Sequence, residues 1–248
     1  MNEFLQTVAE NVTFLLTCLG IFVALVLLAV AAERFLLPAH RKLSPARTVS
    51  FVAIFAALGG VLMFFEIPLF FAPSFYEMDL SELPVLICTF YLGPVAGVVC
   101  EFLKVVIKLL LKGTSTAFVG DFANFVVGCA MVLPASMVYH IRKSKKTALL
   151  GLAAGTLVMT VFGSAFNALY LIPKFAQLFH MPLDAIIAMG TEVNASIHSV
   201  WTLVLFAVVP FNLLKGIVVS ALTLLLYKRV ERLFFRRPAP STQTHTSL

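Results

Sequence analysis

Charge is scarce in this chain. Asp, Glu, Lys and Arg make up 12% of its 248 residues, apolar side chains make up 60%, and mean hydropathy is +1.00. That composition excludes a soluble globular domain. The motifs of familiar catalysts are missing too. No GxxxxGK[ST] occurs, so the chain has no recognisable nucleotide-hydrolysing loop. His40, His140, His180, His198 and His245 are scattered, with no HExxH and no pair on one helix turn, which argues against a zinc hydrolase. There is no GxSxG nucleophile elbow. Cys18, Cys88, Cys100 and Cys129 all fall in apolar runs without metal-ligand spacing and read as small core hydrophobes. An enzyme reading survives only through isolated groups such as Asp121, which can act as acid or base. The net charge of +6 does not point to nucleic acid, because the basic residues gather in short connections and at the C-terminus. That placement is an orientation signal.

What the chain does have is long apolar segments, which approach or exceed the roughly 20 residues needed to cross a bilayer. We read spans at 12–32, 48–66, 82–93, 95–112, 119–140, 148–172 and 200–227. The first follows Glu3 and Glu10 rather than a basic region, so it reads as a retained helix and not a cleaved signal. Basic groups lie in the connections 33–47 and 141–147 and after Tyr227. All three are cytoplasmic only if 82–112 crosses twice, which puts the N-terminus outside and the C-terminus inside. The connections 67–81, 113–118 and 173–199 then face outward. The first of these carries Phe70, Phe71, Phe75 and Tyr76, which either fold it back over the membrane or form an interfacial aromatic belt. The chain divides into an extra N-terminal helix with a basic linker (1–44), a six-helix membrane core (45–230) and a disordered cytoplasmic tail (231–248). The expected fold is therefore an all-α integral membrane protein.

The most informative residues lie in Pro210-Phe211-Asn212-Leu213-Leu214-Lys215-Gly216. Asn212 and Lys215 share a helix face, and Lys215 is the lone charge of the apolar stretch from Val200 to Tyr227. It is about 18 Å from the far end of its span, too far for its stem to carry the ammonium to water. Ionisable groups so placed usually line a ligand or ion pathway; packing against a neighbouring helix is the plainer alternative. Lys104, Lys108, Asn124, Ser164, Asn167 and Thr202 are further polar groups in the spans. Together they suit a neutral solute rich in donors and acceptors. Lys104, Lys108 and Lys112 recur every four residues along one face, with Lys112 placed to reach the headgroups. Ala53 and Ala57, with Gly60 near the same face, form a small-residue arrangement that lets another helix approach closely.

Five segments in order resemble the riboflavin-specific substrate-binding subunits of energy-coupling-factor vitamin transporters. They are Asp79-Leu80-Ser81-Glu82-Leu83-Pro84, Leu92-Gly93-Pro94-Val95-Ala96-Gly97, Gly113-Thr114-Ser115-Thr116, Val119-Gly120-Asp121-Phe122-Ala123-Asn124-Phe125 and the Pro210 to Gly216 segment. The resemblance spans about residues 45–230. It implies capture of riboflavin, with flavin mononucleotide as a variant, from outside the cell. It also implies association with a transmembrane coupling subunit and two cytoplasmic ATPases that use the ATP; the chain needs no cofactor of its own. Carried over by motif, Asn212, Lys215 and Asn167 contact the ligand, with Asn124, Asp121, Lys104, Phe75 and Leu80 as further candidates, and Ala53, Ala57 and Gly60 dock the coupling subunit. Two departures bear on specificity: Asp121-Phe122 stands where Glu-Leu is common, and Val105 and Lys108 stand where an Asn and a His are common. Another vitamin, thiamine or biotin, remains an alternative, although cationic thiamine sits poorly beside Lys215.

Overall fold

The computed structural model describes residues 2–36, 44–73, 75–114, 116 and 118–230, with the side chains of 2–15 left aside. The tail reading falls outside that range. The chain is helical almost throughout: α1 Asn2–Ala31, α2 Pro45–Leu62, α3 Glu82–Leu92, α4 Pro94–Lys112, α5 Val119–Arg142, α6 Lys145–Phe166, α7 Ile172–Leu178, α8 Leu183–Val193, α9 Val200–Leu203 and α10 Val209–Val230. Among the described residues five helical stretches are long and apolar enough to cross a membrane. The helix pair α3 and α4 falls outside that set, α3 because it has 11 residues and α4 because it carries Glu101, Lys104, Lys108 and Lys112.

Among the described residues three single turns of π-helix interrupt the α pattern. They are Ala32–Leu36 after α1, Asn167–Leu171 joining α6 to α7, and Val204–Val208 joining α9 to α10. The second explains a boundary that differs from the sequence reading. The helix expected to stop near 172 runs on to Leu178, because Pro173 sits in the first turn of α7, where its missing N–H costs little. The outer connection expected at 173–199 is correspondingly shorter, and α8 occupies its middle. The loop between α2 and α3, called the first outer loop after the orientation expected from the sequence, carries a minimal antiparallel ribbon, β1 Ile67–Pro68 against β2 Glu77–Met78.

Local chemistry sets the turns. Gly93 adopts φ 102°, open to a residue without Cβ, and Pro94 follows at the start of α4, so α3 reverses into α4 within one residue. Ser144 and Thr147 form a reciprocal capping box that starts α6. Gly151 and Gly155 bring α6 against the α5 backbone, since an added Cβ would come within 2.5 Å of the Ala135 and Met131 carbonyl oxygens respectively. The core beneath holds Phe55, Leu86, Met131 and Leu152, with Phe90 stacked on Tyr139 at 4.3 Å and edge-on to Tyr227. A second apolar cluster ties Ala72 and Met78 of the first loop to Ile186, Ile197 and Leu203 of α8 and its surroundings.

The N-terminal helix is packed onto the rest. Phe22 lies 4.4 Å from Phe102 of α4 and 6.0 Å from Phe125 of α5. Beyond it, Glu33 Oε1 accepts the Val95 N–H at 3.1 Å and supplies α4 with the cap that Gly93 cannot. Leu16, Leu19, Leu27 and Leu28 face outward, as a lipid-contacting surface requires.

Candidate functional site

Lys215 lies at the middle of the 31-residue helical stretch Val200–Val230, about 22 Å from either end at 1.5 Å per residue. It is 7% exposed. A lone ammonium buried at that depth costs several kcal/mol, so the fold brings carboxylates to it. Asp79 Oδ2 lies at 3.1 Å and Glu82 Oε2 at 3.0 Å from its Nζ. The other Glu82 oxygen accepts from Lys104 at 3.2 Å, and Lys104 is 2.5 Å from Glu101. A continuous chain of alternating charge thus runs from the first outer loop through α10 and α3 to α4. For Asp79, burial raises the carboxyl pKa, but the Lys215 and Lys104 ammonium groups outweigh burial, and with the Ser81 N–H bond they hold it well below the usual carboxylate range. A separate pair lies where α4 ends and α5 begins: Lys108 meets Asp121 at 2.6 Å and the Gly113 carbonyl at 3.1 Å, while Thr114 donates to the second Asp121 oxygen at 2.7 Å.

Asp79, Glu82, Lys108, Asp121 and Lys215 border a cavity of about 260 Å³ between the first outer loop, α4, α5, α6 and α10. Its apolar wall includes Phe75, Tyr76, Phe175, Val208 and Phe211; its polar wall includes Asn124, Asn167, Asn212, Lys108 and Lys215. Two buried amide atoms there have no partner, Asn212 Nδ2 and Asn124 Oδ1. Unpaired buried polar atoms are rare in folded chains and are satisfied when a ligand supplies the missing bond. Asn167 is held differently: its Nδ2 donates to Gly163 O at 2.8 Å, and its Oδ1 accepts from Tyr76 Oη at 2.8 Å.

The structure therefore brings Asn212, Lys215, Asn167, Asn124, Asp121 and Phe75 to one cavity. Lys104 and Leu80 are not in its lining: Lys104 is fully buried between Glu82 and Glu101, and Leu80 packs into the core beside α3. Lys112 pairs with Glu66, which also borders the cavity, instead of reaching outward alone. Ala53 and Ala57 are exposed on α2, but Gly60 turns the other way, where a Cβ would come within 2.7 Å of Ile107 on α4. Sequence reasoning missed Asp79 and Glu82 as site residues. A signal existed, because a lysine in mid-membrane needs a counter-charge, and Asp79 and Glu82 sit beside the entrance to an otherwise apolar helix. Among the described residues no group of three or more His, Cys, Asp or Glu is arranged for a metal ion.

The family model for the substrate-specific component of ECF transporters matches residues 47–227. The chain belongs to this family. It is 32% identical over 186 residues to the riboflavin transporter RibU of Staphylococcus aureus, an alignment covering 75% of this chain and 90% of that protein. It is 28% identical to the riboflavin transporter FmnP of Bacillus subtilis, over 73% of this chain and 90% of the relative. A solved structure described as the S component of a bacterial ECF transporter superposes with a TM-score of 0.60 at 30% identity, covering 77% of this chain and 99% of that one. The chain is accordingly a multi-pass, all-α membrane component of a transporter, and α1 precedes the part that the family model matches.

Proposed function

We propose that this substrate-specific component captures riboflavin at the outer face of a bacterial plasma membrane and delivers it through a transmembrane coupling subunit driven by two cytoplasmic ATPases. One observation carries the choice of ligand: a cavity that joins aromatic walls to buried, unpaired amide atoms, Asn212 Nδ2 and Asn124 Oδ1. Riboflavin is uncharged, with a flat tricyclic ring whose edge alternates carbonyls and N–H groups and a polyhydroxyl tail. The rings of Phe75, Tyr76 and Phe211 suit its face, and the amides with the remaining Lys215 N–H suit its edges. Relatives named as riboflavin transporters support the same reading.

The lining disfavours a phosphorylated flavin. Glu66, Glu77, Asp79, Glu82 and Asp121 border the cavity against only Lys108 and Lys215, and each of those lysines already holds a carboxylate. A phosphate dianion would meet net negative charge. The same excess suits a cation, which makes thiamine the informative competitor. Titration of the detergent-purified protein with riboflavin, followed by quenching of flavin fluorescence, is expected to saturate at one ligand per chain. Flavin mononucleotide should bind more weakly, and thiamine should not compete. Quenching abolished by thiamine, or no quenching at all, overturns the reading.

For docking, Ala53 and Ala57 present a small-residue surface on α2 that stays exposed in the folded chain. We assign that face to the coupling subunit, because close helix approach in a bilayer depends on small side chains. The orientation follows from the basic connections: N-terminus outside, C-terminus cytoplasmic.

A further inference from the structure

The first outer loop extends two polar side chains across the cavity to the groups assigned to the ligand. Tyr76 Oη donates to Asn167 Oδ1 at 2.8 Å, reaching the π turn that follows α6. Asp79 Oδ2 accepts from Lys215 Nζ at 3.1 Å, reaching α10. Each loop residue is itself held. The Tyr76 ring lies 4.6 Å from Phe75 and 5.6 Å from Phe211, and the Ser81 N–H fixes the second Asp79 oxygen at 2.8 Å. All four residues line the same cavity.

The bonding inventories show what these contacts do. A primary amide has two N–H donors and two acceptor lone pairs. Asn167 uses one donor on Gly163 O and one lone pair on Tyr76, so its plane is fixed and one donor and one acceptor remain. An ammonium has three donors. Lys215 donates one to Asp79 and forms an ion pair with Glu82 Oε2 at 3.0 Å, which leaves at least one N–H. With the loop drawn away, Lys215 keeps only Glu82, and the Asn167 amide is held from one end.

We propose that Tyr76 and Asp79 are positioning residues of the ligand site. They orient the Asn167 amide and the Lys215 ammonium, so that closure of the first outer loop and retention of the ligand become one event. The inference rests on the flavin reading above and deepens it, because it assigns the slow step of release to two named contacts. Ligand leaving the cavity must break the Tyr76–Asn167 and Asp79–Lys215 contacts or slip past them, whereas ligand arriving at an open loop meets neither. The two contacts therefore act on the dissociation rate.

The test is stopped-flow flavin fluorescence on the full chain, comparing Tyr76→Phe, Asp79→Asn and Asp79→Glu with the unmodified protein. Tyr76→Phe keeps the ring contacts and removes one neutral hydrogen bond, for which dissociation should quicken roughly fivefold. Asp79→Asn weakens a charge-assisted bond and should quicken it by about tenfold or more. Association should stay within about twofold in both, since related binders differ mainly in how fast they let go. Asp79→Glu, which restores the carboxylate, should recover most of the loss. Impaired folding would lower the amplitude of the signal without changing the rate of release. Should Asp79→Asn yield no folded protein, Tyr76→Phe decides. Release at the unmodified rate in Tyr76→Phe and Asp79→Asn, or a loss confined to association, overturns the inference while the flavin reading stands. An unmodified protein that quenches no flavin overturns both.

Discussion

Asn212→Leu should separate stability from binding. Leucine keeps the heavy-atom branching of asparagine, removes its amide, and has extra bulk that the cavity lined by Asn212 can take. In the folded chain Asn212 Nδ2 is buried without a partner and packs against Gly163, where an added Cβ would lie 3.0 Å away. A buried donor left unmade costs on the order of 1–3 kcal/mol, so its removal should leave the ligand-free protein as stable as before or more so. The flavin loses the same donor. One such bond corresponds to about 1.4 kcal/mol, or a tenfold weaker affinity. Riboflavin at 100 times the unmodified Kd stabilises the unmodified protein by about 2.7 kcal/mol, and by about 1.4 kcal/mol when Kd is tenfold higher. Thermal unfolding of both proteins in one detergent, with and without riboflavin, gives all four numbers. A variant that unfolds earlier without ligand yet keeps the full ligand-induced shift would refute the reasoning, because Asn212 would then be a packing residue.

Lys104→Met leaves Glu101 without its cation and Glu82 with only Lys215, which should cost about 3–5 kcal/mol; thermal unfolding should show the loss, and adding Glu101→Gln should recover part of it. Glu33→Ala removes the acceptor for the Val95 N–H, so stability should fall by about 0.5–2 kcal/mol while riboflavin affinity, read by fluorescence titration, stays unchanged. Ala53→Leu with Ala57→Leu enlarges an exposed face distant from the cavity lining. Purified protein should bind riboflavin normally, whereas uptake in a riboflavin auxotroph expressing the coupling module should fall; normal uptake would remove that face as the docking surface.

Apolar length and the placement of basic connections make the membrane class and the main helices legible in the amino-acid sequence. The helix ends are less legible, because a π turn changes the register without changing composition: nothing in Asn167-Ala168-Leu169-Tyr170-Leu171 marks it, and Pro173 reads as a stop. Gly151 and Gly155 have the spacing of close packing and deliver it, whereas Ala53 and Ala57, with the same spacing, stay exposed in the folded chain. The site divides the same way. Lys215 is conspicuous because it stands alone in an apolar stretch, but its partner Asp79 lies 136 residues away in sequence, and local spacing carries no trace of such a contact. The expectation of a site built mostly from amides, hydroxyls and lysines therefore underestimates its acidity; five carboxylates border the cavity.

The central claim is that riboflavin lies between the first outer loop, α6 and α10, with its polar edge on Asn212 and Lys215. A structure of the flavin-loaded protein measures this directly. The account predicts ring-edge atoms within about 3 Å of Asn212 Nδ2 and Lys215 Nζ. A flavin seated elsewhere, with both groups turned away from it, would contradict the account.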